Sequence, residues 1–250
     1  LWREYLVELL EPQSGEPVTG RGRVLSVTPH TQRVVVSDVD DTIIYTGVSN
    51  KLKMLWRLFF HGAADRVPFP GIAALYQAFY LGHNGEQQNP LIYVSRSPWS
   101  IYPILDEFFQ LHDIPIGPVL QLRDWGISLL HPFPRRAKSY KEKMLYRVIE
   151  IYAALPLVLI GDSGQHDPEL YTAFAREYPD HVAAIYIRDL CLSHKRTAEL
   201  GEMRRALAQL GVPLVIAVST EAIASDAAQR GWLSGRDLAQ INRHSAHGQP

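Results

Sequence analysis

Apolar positions along the chain follow two rhythms. Short continuous runs, several of them β-branched, occur at Val34-Val35-Val36, Leu91-Ile92-Tyr93-Val94, Pro118-Val119-Leu120-Gln121-Leu122, Leu157-Val158-Leu159-Ile160, Val182-Ala183-Ala184-Ile185-Tyr186-Ile187 and Leu214-Val215-Ile216-Ala217. Runs of this kind, bounded by polar and turn residues, predict strands buried on both faces of a parallel sheet. Between them the apolar spacing becomes helical. Leu52, Leu55, Trp56, Phe59 and Phe60 predict an amphipathic helix over 51–61, and Met144, Leu145, Val148, Ile149 and Tyr152 predict another over 141–154. Further helices are predicted near 72–81, 100–111, 168–177 and 196–210, with one or two more after 217; Pro103 falls near a first turn, where its missing N–H costs little. Strands alternating with helices predict an α/β fold, a Rossmann-like parallel sheet with helices on both faces.

The first residues break this rhythm. Tyr5–Leu10 and Arg23–Val27 read as strands around the turn Gln13-Ser14-Gly15-Glu16-Pro17. Residues 1–33 are therefore expected to form a β-rich lead-in or the end of a preceding, truncated domain. Residues 34–243 form the α/β domain, with an insertion at about 44–70 after the first strand, and 244–250 form a flexible polar tail.

In open α/β sheets, chemistry gathers beyond the carboxyl ends of the strands. The strand at Val34 ends in Asp38-Val39-Asp40-Asp41-Thr42. Ionised carboxylates ~4 Å apart repel by about 4 kcal/mol at an effective dielectric near ~20, so a divalent cation is the natural offset. The next strand ends at Ser95-Arg96-Ser97-Pro98-Trp99, and a later one at Gly161-Asp162-Ser163-Gly164-Gln165-His166-Asp167. Lys138, Lys141 and Lys143 lie around the start of the helix preceding that later strand. Arg123 and Asp124 at a third strand end either line the pocket or pair locally, and His166 reads as structural.

Composition narrows the field. The chain has 250 residues, 46% of them hydrophobic and 20% charged, enough for one sizeable core. A formal charge of −1 argues against a broad nucleic-acid surface, and no specific nucleic acid is expected as a partner. The single cysteine, Cys191, excludes an intrachain disulfide and reads as structural. No apolar run is long enough to span a bilayer. No signal peptide is visible, although the chain starts at Leu1 and an earlier segment stays open; the expected location is cytoplasmic or peripheral to a membrane.

The ordered set Asp38-x-Asp40-x-Thr42, Ser95, Lys141 and Asp162-x4-Asp167 resembles the haloacid dehalogenase superfamily of phosphohydrolases. SDVDDTI, YVSRSPWSIYP, LRDWG, LIGDSGQHDPELY and AIYIRDL further resemble the catalytic domain of the actin-patch-associated phosphatidate phosphatase family, over about 33–230. The resemblance implies a haloacid-dehalogenase-type fold whose insertion is a small cap or flap. It implies a Mg²⁺-dependent phosphomonoester hydrolase with an aspartyl-phosphate intermediate, acting on phosphatidate to give diacylglycerol and phosphate. Asp38 is then the nucleophile, Asp40 the general acid and base, and Lys141 the charge that steadies them. Thr42, Ser95, Arg96 and Ser97 bind substrate. Asp38, the Asp40 backbone carbonyl and Asp162 hold Mg²⁺, with Asp167 holding a ligand water. Asp41 bonds its own turn. The helix at 51–61, with Lys51, Lys53 and Arg57 beside its aromatic stripe, either packs on the core or makes a peripheral contact with a phosphatidate-bearing membrane. Two other readings are a phosphatase for a soluble metabolite, phosphoprotein or nucleic-acid end, and a non-catalytic partner-binding module.

Overall fold

The computed structural model describes residues 2–9, 18–39, 42–45, 67–122, 137–191 and 193–247. The predicted helix at 51–61, and with it the lid or membrane contact expected there, lies outside the described residues, as do Asp40, Asp41, Arg123 and Asp124.

Six strands form one all-parallel sheet: β3 (Val34–Asp38), β6 (Leu91–Pro98), β7 (Val119–Leu122), β8 (Leu157–Asp162), β9 (Val182–Arg188) and β10 (Leu214–Ala217). Across the sheet their order is β10-β9-β8-β3-β6-β7. The chain therefore begins in the middle, fills one side through β6 and β7, then crosses back to fill the other from β8. This doubly wound order reverses between β3 and β8, the switch point at which such sheets bind ligands. β1 (Trp2–Leu9) and β2 (Val18–Leu25) make a separate antiparallel pair ahead of the sheet. β4 (Ile44–Tyr45) and β5 (Val67–Pro68) pair antiparallel at the root of the insertion.

Seven helices are described: α1 (Ile72–Leu81), α2 (Tyr102–Leu111), α3 (Ala137–Ile151), α4 (Asp167–Glu177), α5 (His194–Ala208), α6 (Thr220–Gln229) and α7 (Gly235–His247). Side chains alternate along a strand, so neighbouring residues serve opposite faces. Val35, Tyr93, Val158 and Tyr186 pack with α1, α2, α6 and α7, while Val34, Val36, Leu159 and Ile185 pack with α3, α4 and α5. Val34, Val35 and Val36 are all fully buried, which is why the strand reads as an unbroken apolar run.

Two expectations need correction at the element ends. Helix α3 starts at Ala137, a turn earlier than its apolar stripe indicates, so Lys141 sits inside the helix rather than at its start. Helix α7 runs through His247 with Ser245 buried, so residues 244–247 are helical rather than a flexible tail. Among the described residues, no helix is long and apolar enough to cross a membrane.

Candidate active site

The site is built from the end of β3 outward. Ser37 and Asp38 point to opposite faces. The Ser37 hydroxyl donates to the Asp38 carbonyl at 2.7 Å and lies 2.6 Å from the Tyr76 hydroxyl of α1, which is left as the donor between them. Burial holds the Tyr76 phenol well above its ordinary pKa, so it stays protonated and able to donate. Asp38 thereby faces α3 and α4.

Lys141 meets it there. Its Nζ donates to Asp38 Oδ1 at 2.8 Å and to Asp167 Oδ1 at 2.6 Å. All three side chains are almost fully buried. Burial pulls the Lys141 ammonium down, but Asp167 and Asp38 outweigh it and its pKa is raised on balance. Of the three candidate lysines, Lys143 is exposed and the Lys138 side chain lies outside the description. Asp167 sits in the first turn of α4, where the helix dipole favours a carboxylate.

Asp162 ends β8, the strand next to β3. Its Oδ1 accepts from the backbone N–H groups of Gly164 at 2.7 Å and Gln165 at 2.9 Å, which winds the loop back on itself. The Gln165 side chain then donates from Nε2 to Asp38 Oδ2 at 3.0 Å. Gly161 is required by close approach: a Cβ there would lie 2.7 Å from Asp167 Cβ and Oδ2.

Thr42 is buried in a turn closed by the Ile43 N–H to the Val39 carbonyl at 3.0 Å, and its Oγ1 has no hydrogen-bond partner among the described residues. Ser95 is fully buried on β6, one residue past the register partner of Asp38. Arg96 and Ser97 continue β6, but their side chains lie outside the description. His166 occupies the N-cap position of α4 without a side-chain cap, and Cys191 is exposed.

One contributor carried no signal in the sequence. Arg196 of α5 donates from Nε to the Ser163 carbonyl at 2.9 Å and from Nη2 to the Gln165 carbonyl at 3.0 Å, and it pairs with Glu169. It clamps the loop that carries Asp162 from a helix some thirty residues away, as the separations of 33 and 31 show. Nothing local distinguishes it from the other basic residues of α5. The Gln165 side-chain contact to Asp38 was equally invisible, because the sequence shows a loop residue and not its reach.

The donor set suits a hard divalent cation. Carboxylate oxygens of Asp38, Asp162 and Asp167 lie within 4.8 Å of one another, all buried. Among the described residues, three carboxylates face one ammonium, and Asp167 Oδ2 is buried with no hydrogen-bond donor. An all-oxygen set with residual negative charge and an unused lone pair fits Mg²⁺-type coordination.

The family description "Phosphatidate phosphatase APP1, catalytic domain" matches residues 33–189, the span from β3 through β9. The chain belongs to this family. The residues that match are those of a phosphatase catalytic domain. The chain is similar to phosphatidate phosphatase APP1 of Saccharomyces cerevisiae, 28% identical over 155 residues, which are 62% of this chain and 25% of that protein. It is also similar to an uncharacterised protein of Schizosaccharomyces pombe, 26% identical over 157 residues, again 62% of this chain and 25% of the relative. The match thus spans about a quarter of the length of these curated relatives.

These matches correct the broader expectation. They point to the APP1 catalytic domain and not to the haloacid dehalogenase superfamily, and a parallel sheet with helices on both faces does not by itself separate one such family from another. The superfamily assignment, its fold label and the aspartyl-phosphate step that came with it rested on short spaced motifs; the continuous match over 33–189 replaces them.

Proposed function

We propose that the chain is a Mg²⁺-dependent phosphatidate phosphatase, hydrolysing the phosphomonoester to diacylglycerol and inorganic phosphate. The observation that carries the reading is the buried Asp38–Asp162–Asp167 cluster with Lys141 at the sheet's switch point, inside the matched catalytic domain.

Asp38, Asp162 and Asp167 hold the cation, with the Asp40 backbone carbonyl as a further ligand. When bound, the cation supplies charge neutralisation and polarisation of the phosphoryl oxygens. Asp38 is the carboxylate nearest the phosphoryl group, held by Lys141 on one oxygen and Gln165 on the other. Lys141 keeps its proton and offsets charge that builds during transfer. Asp40 protonates the departing ester oxygen as the P–O ester bond breaks, while the water attacking in line from the opposite side forms its P–O bond and gives its proton to solvent. Thr42 and Ser95, with Arg96 and Ser97, hold the remaining phosphoryl oxygens.

The test is phosphate release from phosphatidate vesicles and a panel of soluble monoesters, with and without Mg²⁺. Wild type is expected to prefer phosphatidate and to require the metal. Asp38→Asn is expected to lose about a hundredfold to a thousandfold in rate, the range for removal of an essential electrostatic group. Full activity in that variant would remove Asp38 from the chemistry, and no release from any ester would favour a binding module.

A further inference from the structure

The charges at the site leave room for a further cation. Lys141 and one divalent ion balance the three carboxylates, so of the groups assigned so far only Arg96 is left to meet the two negative charges of an incoming phosphomonoester. Among the described residues, the buried cationic side chains are Arg33, Lys141 and Arg188. Arg33 precedes β3, at the end of the sheet away from the site. Arg188 ends β9, and its register partner on β8 is Asp162.

Arg188 is 4% exposed, yet it is poorly matched by what surrounds it. Its Nη2 donates to Thr220 Oγ1 at 3.2 Å, its guanidinium stacks 4.0 Å from the Phe69 ring centroid, and its Nε is buried with no acceptor among the described residues. Among the described residues no carboxylate forms an ion pair with it. Burial pulls its pKa down to about 10, while Tyr76, Glu221 and Asp162 pull weakly the other way. A buried guanidinium with an unused N–H is costly unless an anion completes it.

It lies at the same end of the sheet as the cluster, since β9 ends on it beside Asp162. The Phe69 N–H bonds the Ile43 carbonyl at 3.0 Å, so the ring under Arg188 is fixed to the turn that carries Thr42. Tyr76 is near enough to both Arg188 and Asp38 to feel their charges. Arg188 therefore approaches from the α1 and α6 side, opposite Lys141, which approaches from the α3 side.

We infer that Arg188 is a substrate-binding residue that takes a phosphoryl oxygen of the phosphomonoester through its unused Nε–H. The inference rests on the proposed phosphatase reaction for its substrate class. The planar guanidinium is suited to phosphate oxygens, and the cation–π contact with Phe69 holds its plane in place.

The test compares wild type with Arg188→Met and Arg188→Lys. Calorimetric titration with inorganic phosphate in saturating Mg²⁺ reads binding of the free anion. Steady-state rates on a soluble short-chain phosphatidate read binding of the esterified headgroup, and thermal denaturation without phosphate reads the structural role. Arg188→Met is expected to weaken phosphate binding and to raise KM, each about tenfold or more, with a smaller change in kcat. Arg188→Lys should recover part of both. The melting temperature of Arg188→Met without phosphate should match or exceed wild type, because an unmatched buried charge has been removed. A variant that loses stability while phosphate affinity and KM stay unchanged makes Arg188 a structural charge and overturns the inference, as does wild type that binds no phosphate. Arg188-dependent phosphate binding without hydrolysis of any phosphatidate would sink the reaction and spare Arg188. Hydrolysis with phosphate affinity and KM indifferent to position 188 would do the reverse.

Discussion

Lys141 stands between two opposing pulls: burial disfavours its charge, and Asp167 and Asp38 restore it. The same contacts can be read from the carboxylates' side. Take the ammonium away, and two buried acids lose their counter-ion while still facing Asp162. Breaking a buried pair in this way costs about 3–5 kcal/mol. Lys141→Met is therefore expected to lose roughly that much stability in a metal chelator. Added Mg²⁺ should then stabilise the variant more than it stabilises wild type, because the cation meets a more negative cluster. Denaturant titrations of both proteins, with chelator and with Mg²⁺, give the four numbers needed; equal Mg²⁺ increments would contradict the charge argument. At this scale the sequence was informative where a residue closes a strand. Asp38 and Asp162 could be picked out because apolar runs end just before them, and Asp167 through its spacing from Asp162 in the motif that carries the resemblance. Arg196 and Arg188 could not, since each acts through the tertiary fold and neither lies in a pattern that spacing alone interprets.

At the scale of elements, the apolar runs located all six strands of the sheet, because strands buried on both faces leave a dense signal. Helix ends were less legible. The stripe of α3 reports which face is buried and is silent about a polar first turn, so Ala137–Tyr140 were missed. Helix α7 was harder still: Ile241 is fully buried, but the residues around it are mostly polar. Where two elements approach most closely, side-chain size becomes critical. Gly161 of β8 lies against Asp167 and Tyr171 of α4, and a methyl group there would come 2.7 Å from Asp167 Oδ2 and 2.9 Å from Tyr171 Cε2. Tyr171 is fully enclosed and donates its hydroxyl to the Ile160 carbonyl at 3.2 Å, so it has little room to yield. Overpacking of this kind costs about 1–3 kcal/mol. Gly161→Ala is expected to destabilise by that amount and to weaken Mg²⁺ affinity by moving Asp167 away from the cluster. A variant of normal Mg²⁺ affinity would show that α4 shifts as a unit and keeps the carboxylate in place.

At the scale of the whole molecule, the sheet order converts separate stretches of sequence into one site. Asp38 and Asp162 are far apart in the chain, yet they end adjacent strands because the winding reverses between β3 and β8. The helices that follow supply the rest, with Lys141 and Asp167 on the face that Asp38 addresses. This convergence has a thermodynamic consequence. The three carboxylates are close together only in the folded chain, so a cation that needs all three binds the folded state and not the unfolded one. Linkage then makes stability depend on Mg²⁺, by about 2.7 kcal/mol at a hundred times the dissociation constant. For a chain of this length, about 2–4 °C per kcal/mol is expected, so the melting temperature should rise by roughly 5–10 °C. Asp162→Asn removes one ligand charge and one source of repulsion together. Its melting temperature without metal is expected to equal or exceed wild type, and its response to Mg²⁺ to be largely lost. Scanning calorimetry across a Mg²⁺ series, repeated after chelation, reads both effects. A wild-type melting temperature that does not respond to Mg²⁺ would mean that Lys141 alone balances the cluster, and the three acids would then be structural rather than a metal site.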